Sequence, residues 1–284
     1  MSLHAKPMVE SNDQLSARNF NRLSEYIYTY SGIKMPSSKK SMLEGRLRRC
    51  VRNAGLATLD DYCRYLFDEG GLTSEAVQIF DTVTTNKTDF FREPAHFDVL
   101  VSTVLPTLVS AGRTKIKMWS SACSTGAEAY TLAMVLEEYA RNEKRIDYSI
   151  LCTDLSTKVL KQAHSGIYAQ DIVEPVPTLL KQRYLMRALD KQRDEVRIIP
   201  EIRAKHSFAR LNLMDETYSV ARDMDIIFCR NVLIYFDKVT QEKVLRRLCS
   251  HLRVGGYLFL GHSESLSGID LPLTPVANTV FQRR

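Results

Sequence analysis

Nowhere in the 284 residues does an apolar run approach the roughly 18 positions a membrane helix needs, and Met1–Ser11 holds no apolar stretch of a secretory signal. The chain therefore reads as cytoplasmic, with no direct membrane insertion. The six cysteines (Cys50, Cys63, Cys123, Cys152, Cys229 and Cys249) form no C-x-x-C pair and no dense small-domain spacing. A disulfide scaffold is excluded, and the thiols read as reduced. Internal repeats and low-complexity tracts are missing, and a balance of 44% hydrophobic to 25% charged residues excludes disordered and collagenous classes. A folded chain with a sizeable core remains, as one large domain or two smaller ones. The six histidines show no pairing four residues apart and no neighbouring cysteine cluster, so no metal site is expected. There is no G-x-S-x-G elbow for a serine hydrolase and no three-glycine dinucleotide fingerprint.

Acidic residues are scarce in one place. The net charge is +6, and residues 34–52 hold Lys34, Lys39, Lys40, Arg46, Arg48, Arg49 and Arg52 against Glu44 alone. That segment carries the whole excess. At about 100° per residue, Leu43, Leu47, Cys50, Val51 and Ala54 fall on one arc of a helix, and Arg46, Arg48, Arg49 and Arg52 fall opposite, facing outward. Such a face is either simply solvated or docks an acidic surface; the near-absence of acidic partners favours docking.

Residues 12–81 show helical periodicity throughout, with helices expected over Asn12–Tyr30, Ser38–Ala54, Asp60–Asp68 and Ser74–Val83. From Lys115 the pattern changes to short β-rich runs alternating with helical stretches: Lys115–Ser120, Ser149–Thr153, His206–Leu211, Asp225–Cys229 and Tyr257–Gly261, with Val276–Gln282 as a further strand. Alternation of this kind predicts a parallel sheet with crossover helices. We divide the chain into a helical domain at 1–85, a linker with a first helix at 86–114, and an α/β domain at 115–284. After the helix around Ser156–His164 an insertion at about 168–205 interrupts the alternation; in it Gln182–Ala188 and Glu195–Ile199 flank the polar Leu189–Asp194 as a hairpin. This predicts a small β wing.

In open α/β sheets ligands bind outside the carboxyl ends of the strands, where the strand order reverses. After the first strand comes Ser121–Glu128, a run of small residues that admits a ligand to the backbone or merely makes a tight strand-to-helix turn. Asp154 closes the second strand, where a carboxylate can accept hydrogen bonds from both ribose hydroxyls of a nucleoside; the plainer alternative is that it or Ser156 caps the next helix. Asn212 and Asp215 follow the third strand, and Arg230-Asn231 the fourth. Polar groups after four consecutive strands favour a nucleoside-type cofactor over chance turn residues. Upstream, Thr84–Glu93 is dense in hydrogen-bonding groups and carries Phe90 and Phe91, which is unusual for a plain connector.

With these residues in hand, the sequence resembles the CheR family of chemotaxis receptor methyltransferases. The resemblance rests on Thr84-Thr85-Asn86-x-Thr88-x-Phe90-Phe91-Arg92-Glu93, the Ser121–Glu128 loop, Asp154 with Ser165–Tyr168, the Phe228–Phe236 block and Gly261-His262-Ser263-Glu264-Ser265, and it spans nearly the entire chain. It implies a class I methyltransferase, a Rossmann-like doubly wound and mostly parallel sheet, preceded by an all-helical domain and carrying an inserted β wing. It further implies S-adenosylmethionine as cofactor and glutamate side chains on chemoreceptor cytoplasmic helices as acceptors. Carried over by motif, Asn86, Thr88, Arg92, Glu128, Asp154, Asn212, Leu213, Arg230 and Asn231 would touch the cofactor. Arg92 and Tyr235 would lie nearest the methyl group as catalytic residues, and the Arg46, Arg48, Arg49 and Arg52 face would meet the receptor.

Two departures from the family pattern stand out. Ala127 and Ala129 replace the usual Glu and Pro of the cofactor loop while Glu128 is kept, and the wing turn Leu189–Asp194 has no glycine, which argues against docking through a receptor's C-terminal tail peptide. A monomer is expected. Arg92, Arg230, Asn231 and Tyr235 include two cations and no free carboxylate, a balance suited to an anionic acceptor. The alternatives are a nucleic-acid methyltransferase with Arg46–Arg52 on phosphates, and a non-catalytic S-adenosylmethionine-binding adaptor; no nucleic-acid partner is expected.

Overall fold

The computed structural model describes residues 13–142, 146–190 and 192–284. The reading of Met1–Ser11, Asn12 at the expected start of the first helix, and Lys191 in the wing turn lie outside them. The chain divides into two compact units between Thr85 and Asn86. No helix among the described residues is long and apolar enough to cross a membrane.

The described residues of the first unit form four α-helices: α1 (Ala17–Ser31), α2 (Lys40–Asn53), α3 (Leu59–Asp68) and α4 (Leu72–Val83). The first begins later than its periodicity suggests, because Ser16 is extended and its hydroxyl accepts the Asn19 N–H, an N-cap that stops the helix growing backwards. Thr58 caps α3 in the same way, with Asp60 and Asp61 favourably placed at the positive end of its dipole. Gly32, at φ 73°, ends α1 in the left-handed conformation that glycine adopts without strain. The second helix opens with a 3-10 turn over Ser37–Lys39. Leu23, Ile27, Leu43, Leu47, Val51, Tyr62, Ile79 and Phe80 are fully buried, one apolar stripe from each helix. Each large side chain stabilises the fold by about 1.5–3 kcal/mol. Tyr30 stacks on Phe80, ring centroids 4.3 Å apart.

The second unit opens with α5 (Ala95–Val99), a π turn (Leu100–Val104) and α6 (Leu105–Ser110). Pro106 accounts for the π turn: its ring would strike the carbonyl four residues back in a continuous α-helix, so the ladder widens ahead of it. There follow β1 (Lys115–Ser120), α7 (Ala127–Asn142), β2 (Asp147–Asp154), α8 (Thr157–Ser165), β3 (Ile167–Ala169), α9 (Thr178–Tyr184), β4 (Leu185–Arg187), β5 (Glu195–Ile198), α10 (Pro200–Arg203), β6 (His206–Arg210), β7 (Met224–Cys229), α11 (Lys238–His251), β8 (Leu252–Leu260), β9 (Leu273–Ala277) and β10 (Val280–Arg283).

The main sheet has the order β6-β2-β1-β7-β8-β10-β9. Its first five strands are parallel, and β10 runs antiparallel between β8 and β9. Ile116, Met118, Ile150, Ile226, Phe228 and Phe259 fill its core, and Phe228 stacks on its cross-strand neighbour Phe259 at 4.3 Å. From β1 the chain steps outward through β2 to β6, then returns to place β7 on the other side of β1. The order therefore reverses between β1 and β7, and a ligand crevice belongs at their carboxyl ends.

Two local expectations are corrected. Val276–Gln282 is not one strand but parts of the β9–β10 hairpin, turning at Asn278-Thr279 with Thr279 left-handed at φ 54°. That turn carries no glycine; it is held from outside, by the Leu260 N–H on the Thr279 carbonyl (2.9 Å) and by His96 Nε2 against Thr279 Oγ1 (2.9 Å). The wing is present as a separate antiparallel sheet of order β3-β5-β4. Its hairpin is shorter than expected, since Gln182–Tyr184 finish α9, and it gains the short strand β3.

Candidate active site

Gly126, at φ 92°, closes the turn after β1, and a Cβ there would meet Ala163 Cβ and the Tyr168 hydroxyl at 3.0 Å. Only glycine fits, because Ala163 and Tyr168 pack directly against the turn. Ser124 is also left-handed, at φ 50°. It is held there by Asp154, whose Oδ2 accepts the Ser124 N–H at 2.9 Å while Oδ1 accepts the Ser156 N–H at 2.9 Å. Ser124 Oγ donates to the Asn86 carbonyl at 2.9 Å. Asn86, the glycine-poor loop and Asp154 thus meet at one point. The helix cap of α8 is Ser156, which accepts the Val159 N–H. Asp154 braces that cap and the β1 loop together.

The Leu211 N–H donates to the Asp154 carbonyl at 3.0 Å, bringing the end of β6 to the same edge. There Asn212 Oδ1 accepts the Met214 N–H at 3.0 Å, and the Leu213 carbonyl accepts the Tyr218 hydroxyl at 2.7 Å. Thr88 lies half-buried on the coil leading to Phe90.

Beyond β7 the arrangement departs from a row of ligand-facing groups. The Arg230 side chain is 2% exposed: Nε donates to Glu128 Oε2 at 2.7 Å, and Nη1 to the Arg92 carbonyl at 3.0 Å and to His96 Nδ1 at 2.9 Å. Glu128 Oε1 takes the Ser120 hydroxyl at 2.6 Å. Because a guanidinium only donates, His96 Nδ1 must accept, which places the imidazole proton on Nε2, donating to Thr279 Oγ1. Burial, with the Arg230 charge beside it, pushes His96 down to about 4, so the ring is neutral at pH 7. Glu93 Oε1 accepts the Asn231 side-chain amide at 3.0 Å; burial works to raise Glu93, but that hydrogen bond and Arg230 outweigh it and hold its carboxyl below the usual range.

The balance of two cations read at this edge is therefore corrected. Arg230 is neutralised by Glu128, with Glu93 Oε2 at 3.5 Å, and only Arg92 remains as a cation with access. Glu93, His96 and His262 do place three possible metal-ligand atoms within 4.8 Å of one another. Arg230 already supplies a fixed positive charge against two of them, which opposes a second cation.

Arg92 is half-buried, between Phe91 and Glu93, both left-handed at φ 54° and 57°, and its Nη1 donates to the Lys87 carbonyl at 3.2 Å. Tyr235 is half-buried in the 3-10 turn Leu233–Tyr235. No hydrogen bond joins Arg92 to Tyr235 among the described residues. Glu93, His96, Ser124 and Glu264 were assigned no role from sequence, although Glu93, Ser124 and Glu264 stand inside segments already singled out.

In the first unit the four-arginine face is split. Arg46 Nη1 donates to the carbonyls of Val83 and Thr84 at 2.6 and 3.1 Å, closing the end of α4, and Arg48 Nη2 donates to the Asp13 carbonyl at 3.0 Å. Arg49 and Arg52 are exposed. The expectation that all four face outward holds for two; the other two lie beside carbonyls that end a helix or a coil, and bind them.

Comparison with known proteins shows the family. The family model for the CheR methyltransferase S-adenosylmethionine-binding domain matches residues 86–281, and that for the CheR all-alpha domain matches residues 18–84. The chain belongs to the CheR methyltransferase family. It is 35% identical over 262 residues to a chemotaxis protein methyltransferase of Borreliella burgdorferi, covering 90% of this chain and 91% of that one. It is 36% identical over 270 residues to the chemotaxis protein methyltransferase of Escherichia coli, covering 94% and 91%. Chemotaxis protein methyltransferase 2 of Pseudomonas aeruginosa is 34% identical over 263 residues, covering 93% and 92%. The chain is an S-adenosylmethionine-dependent methyltransferase of class I architecture, acting in chemotaxis-type signalling.

Proposed function

We propose that this CheR methyltransferase esterifies glutamate side chains on the cytoplasmic helices of chemoreceptors, the adaptation step of a chemotaxis-type pathway. The observation that carries the proposal is the junction of Asn86, Ser124 and Asp154 at the carboxyl edge of β1 and β2, inside a chain whose family binds S-adenosylmethionine. The residues fit that cofactor: Gly126 lets the turn after β1 close tightly against Ala163 and Tyr168, and the Asp154 carboxylate, at the end of β2, is an acceptor of the kind that ribose hydroxyls require. Glu128, Asn86, Thr88, Asn212, Leu213 and Asn231 complete the contacts. Arg230 contributes through its backbone and by fixing Glu128 and the Arg92 carbonyl, not by offering its charge.

When bound, the cofactor supplies a methyl group made electrophilic by its sulfonium. The acceptor glutamate is ionised at neutral pH, since its ordinary pKa is about 4.3, so no general base is required. Alignment is the task. Arg92, the accessible cation, orients the carboxylate, and the Tyr235 hydroxyl aligns it. With the cofactor held there, a carboxylate oxygen would take the methyl group from the sulfur, giving a neutral ester and S-adenosylhomocysteine, and because both charges would vanish, partial exclusion of water would assist.

Arg49 and Arg52 provide docking to acidic receptor helices, in a monomeric, cytoplasmic enzyme that uses neither nucleic acid nor a receptor tail peptide. The test is incubation of the full chain with methyl-labelled S-adenosylmethionine and chemoreceptor-containing membranes. Label should enter receptor protein; binding without turnover, or label on nucleic acid, would contradict the proposal.

A further inference from the structure

The turn that follows β7 is held by a residue from the neighbouring strand end. Glu264 is 5% exposed, just past β8, and its carboxylate accepts four backbone N–H groups: Oε2 from Gly261 at 2.6 Å and Asn231 at 3.0 Å, Oε1 from Val232 at 2.9 Å and Leu233 at 2.8 Å. Three successive N–H groups converging on one point form an anion-binding concavity, filled here by the protein's own carboxylate. The turn needs holding, because Asn231 is left-handed at φ 56° and the Leu233–Tyr235 turn follows at once.

Gly261 completes the device. A Cβ at that position would lie 2.6 Å from Asn231 Nδ2, 2.9 Å from its backbone nitrogen and 3.0 Å from Glu264 Oε2. We infer that Glu264, seated against Gly261, is the positioning residue that holds Asn231 and Tyr235 in register with the reacting groups, an inference that rests on the roles proposed above for those two residues. Burial pushes the Glu264 carboxyl above the ordinary range, against the pull of its four donors.

The experiment compares Glu264→Gln, Tyr235→Phe and the double variant in the full chain, at a temperature well below every Tm, with kcat and receptor KM measured at saturating S-adenosylmethionine. Glutamine keeps the size but turns N–H groups toward backbone N–H groups. Glu264→Gln should lower kcat by roughly tenfold or more with receptor KM within about threefold, and the double variant should be no more than about twofold slower than the slower single one. Unchanged kcat with a lowered Tm, or losses that multiply, would overturn the inference. If Tyr235→Phe alone is silent, the role given to Tyr235 has failed, and Glu264 stands only if Glu264→Gln weakens S-adenosylmethionine binding through Asn231 in calorimetry. Should Glu264→Gln not fold, Gly261→Ala, which displaces the same turn and keeps the carboxylate, must show the same kcat loss or the inference falls.

Discussion

The carboxyl edge of β7 and the outer face of α2 both present arginines, and the two regions use them in opposite ways. Arg230 is buried, paired with Glu128 and fixed by a neutral His96. Arg49 and Arg52 stand exposed with their charge unneutralised by the helix around them, and Arg46 and Arg48 lie between these extremes. A buried cation organises the groups around it and is costly to remove, because its partner is left as an uncompensated charge. An exposed one adds little to stability and is available to an acidic partner. Residue type alone does not separate the two cases; the number of backbone and side-chain oxygens within reach does.

The largest effect that would break this contrast is at Arg230. Arg230→Ala leaves Glu128 buried without its cation and should destabilise the second unit by about 3–5 kcal/mol in denaturant unfolding. A loss under about 1 kcal/mol would mean that Glu128 is as well solvated as a surface carboxylate. Next comes the neutral imidazole. Because His96 in the fold is pushed down to about 4, the unfolded chain binds a proton that the folded chain refuses. Stability should therefore fall as pH drops from about 6.5, the ordinary histidine value, toward 4, and His96→Gln should flatten that slope. An unchanged slope would show that the ring is not held neutral by its surroundings.

Asp154→Ala should weaken S-adenosylmethionine binding by about 1–3 kcal/mol in calorimetry, through lost hydroxyl contacts and a loosened Ser124. Equal binding would remove Asp154 from the cofactor site. The smallest effects sharpen the contrast within α2 itself. Arg49→Glu with Arg52→Glu should raise the receptor KM several-fold, mimicked by added salt, with stability changed by less than about 0.5 kcal/mol. Arg46→Ala should do the reverse, costing about 1 kcal/mol of stability with little change in KM. If all the α2 arginines behave alike, the division drawn from their hydrogen bonds is wrong.

Much of the sheet was legible because β2 and β7 are compact apolar runs with a polar residue at or just past their ends, Asp154 and Arg230, and β1 runs over the span its pattern predicts. The positions of Asp154, Asn212 and Arg230-Asn231 at one edge follow from strand order alone. Elements set by distant contacts were not legible. Strand β3 is three residues long and exists by pairing with β5, and the Asn278-Thr279 turn is fixed by His96 and Leu260 rather than by a glycine. Arg230 meets Glu128 across 102 residues of sequence, so no local pattern shows that its charge is neutralised. Glu264 lies in the Gly261–Ser265 segment, yet its four backbone donors come from Gly261 and from a turn some thirty residues upstream, a convergence that the β7–β8 pairing creates.

The central claim is that the product is a carboxyl methyl ester, and the alkaline lability of the transferred methyl group tests it most directly. Receptor labelled from S-adenosylmethionine by this chain should release volatile labelled methanol in mild alkali, as an ester must. Label that survives alkali, as methyl groups on lysine or base nitrogen do, would contradict it.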